Sequence, residues 1–248
     1  MEKIELKHCM DLDANDPLRE LRSEFLLAET GSIHFDANSM GAMPKTVPQK
    51  VAWMLNEGWR NLGRQGWSKL DWIDQPKKLG SGIAHLLGAQ PEDVVVCDNT
   101  SINLHKLISY AWGIKNSGNI LLTESNHFPT DVYIAEGWIK SLKNYGVDAE
   151  IRFADSHEQL LDCLDENVAV VNVSYVDYRT SLRWDMGRLM QKAQEVGALV
   201  VWDLSHAAGA VEIDLMGNAA DFAVGCGYKY LCGGPGAPAY LFIHPKHQ

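Results

Sequence analysis

Two apolar runs near the end of the chain each finish on a residue able to do chemistry. ALVVWD ends in Asp203, with His206 three residues on in LSHAAGA, and DFAVGCGYK carries Lys229. A carboxylate in that position has three uses. It binds a metal, caps the following turn, or holds a cationic ring nitrogen. No second cluster of ligand-type residues accompanies Asp203, so no metal is expected, and by itself the motif favours the cap. A lysine desolvated at a strand end deprotonates readily, and the neutral amine forms a Schiff base with an aldehyde. The commonest fate of a lysine is to face solvent. Against it stand Gly225, Gly227, Gly233, Gly234 and Gly236, because glycines let backbone approach a ligand closely.

Further candidates stand where other runs end. VVVCDNTSINLHKL passes from strand to helix through Asn99, Thr100 and Ser101. A helix N-terminus with two hydroxyls is a ready phosphate site, although plain capping by Thr100 or Ser101 explains the same residues. TESNHFPTDVY carries Phe128 and Asp131; Phe128 offers a flat face to a planar ring or simply packs in the core. Ser174 ends VNVS, where a satisfied backbone contact is the plainer role. Together these ends supply a ring-nitrogen partner, a stacking face, a phosphate cradle and an amine. One ligand uses all four, pyridoxal 5′-phosphate, and Lys229 is the expected cofactor lysine.

The elements that must hold these residues alternate. DPLRELRSEFLLAET (16–30) reads as an amphipathic helix stopped by Gly31, and KTVPQKVAWMLNEGWRNLG as a helix with Pro48 in its first turn. Strands are expected in EDVVVCDN, GNILLTES, DAEIRFA, NVAVVNVSYV, ALVVWDLS, DFAVGCGYK and PAYLFIHP. Helices fall between most of them: SINLHKLISYAWG, TDVYIAEGWIKSLKNYG, a helix opened by the capping box Ser156–Gln159, and DMGRLMQKAQEVG. Near-continuous apolar strands separated by helices specify an α/β protein. The expected form is a three-layer α/β/α sandwich with a mostly parallel sheet and its site at the carboxyl ends of the strands. Trp53, Trp59, Trp67 and Trp72 cluster in WMLNEGWRNLGRQGWSKLDW, where packing of a helix pair is the favoured role over contact with an aromatic substrate.

Composition narrows the function classes. The chain has 248 residues, enough for a substantial core, and a net charge of −10 that does not attract nucleic acid or anionic membrane. No run is long enough to span a bilayer, and the polar N-terminus lacks a signal-peptide core. Five scattered cysteines suggest neither a zinc site nor a disulfide framework and suit a reducing cytoplasm.

The stretch VVWDLSHAAGAVEIDLMGNAADFAVGCGYKYLCGGPGAPAYLFI resembles the fold-type-I pyridoxal-phosphate enzymes of the class-V aminotransferase group, and within it the kynureninase family. The marks are DLSHAAGA, GYKYLCGGPGA, TSINLHKL and HFPTDVY. DANSMGAMP resembles the family's early loop, and the likeness runs from about Phe35 to the end. Cysteine desulfurases of the same group usually carry histidine immediately before the lysine; here Tyr228 stands there. The resemblance implies that Asp203 pairs with the ring nitrogen, His206 sits beside the ring, Phe128 stacks on it and Asp131 lies nearby. It assigns Thr100, Ser101, Ser174 and Tyr228 to the phosphate or adjacent contacts, and Tyr228 to proton transfer. Lys229, Tyr228 and Asp203 are then the catalytic residues. The implied reaction is hydrolysis of L-kynurenine, or 3-hydroxykynurenine, to anthranilate and L-alanine in tryptophan catabolism, by a cytoplasmic homodimer. Another class-V activity (aminotransferase, β-lyase or desulfurase) is the alternative. The implied organisation is an N-terminal arm and helix over 1–44 and a cofactor-binding large domain over 45–248. The family's C-terminal small domain, with its arginine for the substrate carboxylate, is not in this sequence. A fragment, a truncated product or one piece of a split enzyme is therefore expected, poor in catalysis by itself.

Overall fold

The computed structural model describes residues 4–29, 31–115 and 117–248. Its centre is a seven-stranded sheet of β1 (Val94–Val96), β2 (Ile120–Glu124), β3 (Glu150–Ala154), β4 (Val168–Ser174), β5 (Leu199–Asp203), β6 (Phe222–Gly225) and β7 (Tyr240–Ile243). The spatial order is β1-β7-β6-β5-β4-β2-β3. Neighbours from β6 through β3 pair in parallel, and β7 runs antiparallel to both β1 and β6. The mostly parallel sheet expected from the apolar runs is borne out.

The helices that precede or flank the sheet are α1 (Leu6–Asn15), α2 (Val47–Trp53), α3 (Gln75–Leu87), α4 (Thr100–Ile114), α5 (Pro129–Asn144), α6 (His157–Asp162) and α7 (Met186–Val196). On one face of the sheet α4 and α5 bury Leu104, Leu107, Ile108 and Ile139 against Leu121, Val201, Phe222 and Val224. On the other, α3, α6 and α7 bury Leu87, Leu160, Leu189 and Met190 against Val171, Val173, Val200 and Trp202. Along β5, Val200 and Trp202 point one way and Val201 the other, the period of a strand covered on both sides. The pairing of β2 with β4 slips between Ile120 and Leu121, so Ala169 is an extra residue.

Local chemistry sets the helix ends. Asn99 Oδ1 accepts the Ile102 amide at 2.9 Å and starts α4. Ser156 Oγ accepts the Gln159 amide, while Gln159 Oε1 reaches the amide of Asp155, one residue before the position a capping box predicts. Pro48 lies in the first turn of α2, which continues as a π-helix over Met54–Leu62.

Two expectations fail. Residues 16–30 are not a helix: α1 ends at Asn15, a 3₁₀ segment follows over Arg19–Glu24, and Phe25–Leu26 pairs with Met43–Pro44. Thr30 lies outside the described residues. Leu18 and Leu21 stay exposed, so the amphipathic stripe meets no partner surface. The tryptophan cluster does not pack as a group either. Trp53, Trp59 and Trp67 are exposed, and only Trp72 is tucked in, where Gly58 and Gly66 leave room for its ring.

Candidate active site

Register brings the site together. Ser174 pairs with Asp203, and Asp203 with Val224, so three neighbouring strands finish side by side. Beyond β6 the chain folds back and returns Lys229 to that edge. A cavity of about 190 Å³ opens there, lined by Thr100, Ser101, Phe128, Asp131, Asp203, His206, Tyr228 and Lys229 among others. Ser174 is the one sequence-derived candidate outside the wall. It lies behind Asp203, with Oγ 3.5 Å from Oδ2.

Lys229 is buried, 7 % exposed, and its Nζ lies 2.6 Å from His206 Nε2. The two nitrogens share one hydrogen bond, and which of them donates depends on the imidazole tautomer. Burial first, and then the charge of Lys229, hold His206 below the ordinary histidine range. The Asn38 backbone faces the ring, yet Nδ1 makes no hydrogen bond. Nζ also lies 5.5 Å from the Phe128 centroid and 5.9 Å from that of Tyr228.

Asp203 does two jobs at once. Oδ1 accepts the amide and hydroxyl of Ser205 at 2.9 and 2.6 Å, the cap that its position in the sequence suggests. Oδ2 has only the distant Ser174 hydroxyl and keeps its accepting capacity for a cation in the cavity. Asp131 is different. Burial, and then the Asp203 carboxylate, push it well above the usual carboxylate range, and its Oδ2 has no hydrogen-bond partner among the described residues. His127 is 3.5 Å away but is no proton donor to it, because its Nδ1 already accepts the Phe128 amide. Burial also raises the Tyr228 phenol, which stays protonated.

The fit to an anion is tested at the start of α4. Asn99 does the capping, so the hydroxyls of Thr100 and Ser101 are not spent on it. Their amides, first in the helix, have no acceptor among the described residues. Thr100 and Ser101, with four donors between them at the positive end of a fifteen-residue helix, line the same cavity as the Asp203 carboxylate. A ligand with a phosphate, a cationic ring and an aldehyde within reach of Lys229 matches this donor set.

The family model described as aminotransferase class-V matches residues 33–242. The chain belongs to the class-V aminotransferase family. A kynureninase of Pseudomonas fluorescens is 41% identical over 242 residues, spanning 96% of this chain and 57% of the relative. One of Burkholderia mallei is 39% identical over 246 residues, 98% of this chain and 58% of the relative. The chain therefore spans less than two thirds of the length of these curated relatives. Among solved structures, the cysteine desulfurase CsdA of Escherichia coli has a TM-score of 0.74 at 15% identity, covering 92% of this chain and 58% of that one. The cystine C-S lyase C-DES, solved with cysteine persulfide, has a TM-score of 0.72 at 16% identity, covering 88% of this chain and 58% of that one. These two likenesses are of fold: the sheet is the large-domain architecture of fold-type-I enzymes.

In this class-V site some lining residues escape motif reasoning. Asn99, Thr130, Ser205 and Cys226 also face the cavity. Asn99 stands in the turn already quoted with Thr100 and Ser101, and Thr130, Ser205 and Cys226 are each next to a residue singled out in the sequence; that adjacency is their signal. The glycines around Lys229 correct another expectation. A Cβ on Gly225 would meet the Tyr240 hydroxyl at 2.2 Å, and one on Gly227 the Pro238 carbonyl at 2.5 Å. Gly225, Gly227 and Gly233 make room for neighbouring chain, whereas a Cβ on Gly234 or Gly236 would meet nothing within 4 Å. A Cβ on Gly41, far away in sequence, would meet the Lys229 carbonyl at 2.1 Å, and the Gly41 amide donates to the Tyr228 carbonyl at 2.9 Å.

Proposed function

We propose that this chain is the cofactor-binding part of a pyridoxal-phosphate-dependent hydrolase that splits L-kynurenine, or its 3-hydroxy form, into anthranilate and L-alanine. The observation that carries the reading is a buried lysine amine held by His206, in one cavity with an unsaturated Asp203 oxygen and a helix start with free donors. Identity near 40% to proteins named kynureninase supports the substrate. Residues 45–248 form the large domain in this reading and 1–44 an arm. The working protein is a cytoplasmic homodimer in which further residues hold the substrate carboxylate.

When bound, the cofactor supplies an aldehyde and an electron-accepting ring. The residues do the rest. Asp203 Oδ2 holds a proton at the ring nitrogen by charge. Thr100 and Ser101 bind the phosphate through amides and hydroxyls. Phe128 covers one face, and Asp131 lies nearby. Lys229 loses a proton before its amine reacts, and His206 Nε2 is the acceptor in reach. As the ammonium charge leaves, the part of the His206 depression due to Lys229 is relieved, so His206 accepts more readily as the transfer proceeds. Lys229 then carries the substrate Cα proton, and Tyr228 delivers a proton from its phenol.

The test is reductive trapping. The protein is loaded with pyridoxal phosphate, reduced with borohydride and digested. A pyridoxyl label on Lys229 is expected, and a label confined to another lysine overturns the assignment. With L-kynurenine, the full-length protein that carries this chain should release anthranilate, read by fluorescence. A keto acid or sulfide from other amino acids, without anthranilate, would assign a different class-V activity.

A further inference from the structure

Tyr178 does not line the cavity, yet its ring touches two residues that do. It lies nearly parallel to the His206 imidazole, with centroids 6.3 Å apart and planes at 27°. It meets Phe128 edge-on at 5.2 Å and 81°. Those two rings stand 6.5 Å from each other at a 54° tilt.

Neither cavity ring has much else to orient it. The His206 imidazole is held at Nε2 by the tip of a lysine; the Asn38 backbone faces the ring, but Nδ1 has no hydrogen-bond partner in range among the described residues. Once a ligand engages the amine, that anchor goes. Phe128 stands just before α5 as its cap and has no polar atom on its side chain to fix it. Two side chains touch both rings: Lys229, which bonds the imidazole and lies 5.5 Å from the Phe128 centroid, and Tyr178, whose contact is through its ring.

Tyr178 is itself held hard. Asp177 Oδ1 accepts the amides of Arg179 and Thr180 at 2.9 and 2.6 Å, and the Thr180 hydroxyl at 2.8 Å. The Asp177 amide donates to the Leu182 carbonyl, and a bridge joins Val176 to Arg183. The Arg179 guanidinium sits 5.6 Å from the Tyr178 centroid. Among the described residues the Tyr178 hydroxyl has no hydrogen-bond partner, so the ring is what acts.

We propose that Tyr178 is a positioning residue that sets the tilt of His206 and Phe128. It keeps Nε2 aimed at the Lys229 amine and the Phe128 face turned to the cavity. Its bearing on cofactor binding rests on the pyridoxal-phosphate reading; its bearing on His206 does not.

Two measurements separate these. First, the ring protons of His206 are followed by NMR across pH in cofactor-free protein. Lys229, Asp203 and Asp177 are the charged groups acting on it. Tyr178→Ala lets water reach the imidazole, so the His206 midpoint should rise toward the ordinary histidine value, while Tyr178→Phe leaves it unchanged. Second, pyridoxal phosphate is titrated by absorbance. Two lost ring contacts should weaken binding about tenfold in Tyr178→Ala and by less than about twofold in Tyr178→Phe. If Tyr178→Ala does not fold, Tyr178→Leu keeps bulk without a flat ring and carries the same comparison. An unchanged His206 midpoint in the alanine or leucine variant, or an equal change in Tyr178→Phe, overturns the proposal. A parent protein that fails to bind the cofactor while His206 still responds overturns the cofactor reading and leaves the positioning role in place.

Discussion

Asp203 shows how one side chain serves structure and chemistry through different atoms. Oδ1 is spent on Ser205, and Oδ2 is kept for a ligand. Asparagine at this position retains the Oδ1 acceptor, so the turn to Ser205 survives and only the charge at the second atom is lost. Asp203→Asn is therefore expected to keep its melting temperature within a few degrees and to lose at least about tenfold to a hundredfold in turnover, from a charge-assisted bond worth roughly 1.5–3 kcal/mol. Parent-like turnover of the folded, cofactor-loaded variant would remove Asp203 from the ring. Ser174 gives the opposite forecast. At 3.5 Å its hydroxyl is at the limit of hydrogen bonding to Oδ2, and it does not line the cavity. Ser174→Ala should change cofactor affinity by less than about threefold, measured by absorbance titration. A much larger loss would mean that Ser174 touches the ligand directly.

Elements, rather than single side chains, decide what was readable in advance. Ser156 announces its helix by residue type, because a cap acts over three residues and leaves a local mark, whereas the cap expected at Thr100 or Ser101 falls to Asn99 instead. The strands are legible as valine-rich runs because both faces are covered. The 16–30 segment is not, since an apolar stripe in a sequence does not say whether a partner surface exists. Tyr178 and Gly41 are illegible for a related reason. Their importance lies in contacts with residues distant in sequence, and nothing local marks them. Gly41 makes the point testable. Its backbone is pressed against the carbonyl of Lys229, where a methyl would sit 2.1 Å from that oxygen. Gly41→Ala must move either the 36–44 loop or the lysine segment, both of which are backbone. The expected result is weaker cofactor binding by about tenfold or more, with a loss of stability of about 1–3 kcal/mol from overpacking. Protease sensitivity of the 36–44 loop in the variant should rise in step. Parent-like affinity and proteolysis would mean that the arm does not brace the site.

At the scale of the whole molecule, the carboxyl edge of the sheet carries acidic groups outside the cavity as well as in it, and they tie stability to pH. Glu124 ends β2, and its Oε1 lies 3.4 Å from His157 Nε2. Burial, with the Asp177 charge adding to it, pushes its carboxyl up to about 7. His157, stacked on Trp184 at 3.7 Å, is held below the usual range by burial, so the proton of this pair sits on the acid. The folded protein thus binds a proton at Glu124 more tightly than the unfolded chain, whose glutamate titrates near 4.5. The stabilisation is complete below pH 4.5 and is lost as pH rises through about 7. Glutamine keeps the shape of the protonated side chain and cannot ionise. The difference in unfolding free energy between Glu124→Gln and the parent should therefore be nearly flat at low pH. It should then climb in favour of the variant by on the order of 1–3 kcal/mol between about pH 5 and 8. Other titrating groups, such as Asp131 and His127, are common to both proteins and cancel in the difference. Urea unfolding of both proteins at the two pH values measures it, and an equal difference at each would mean that Glu124 titrates as an ordinary surface glutamate.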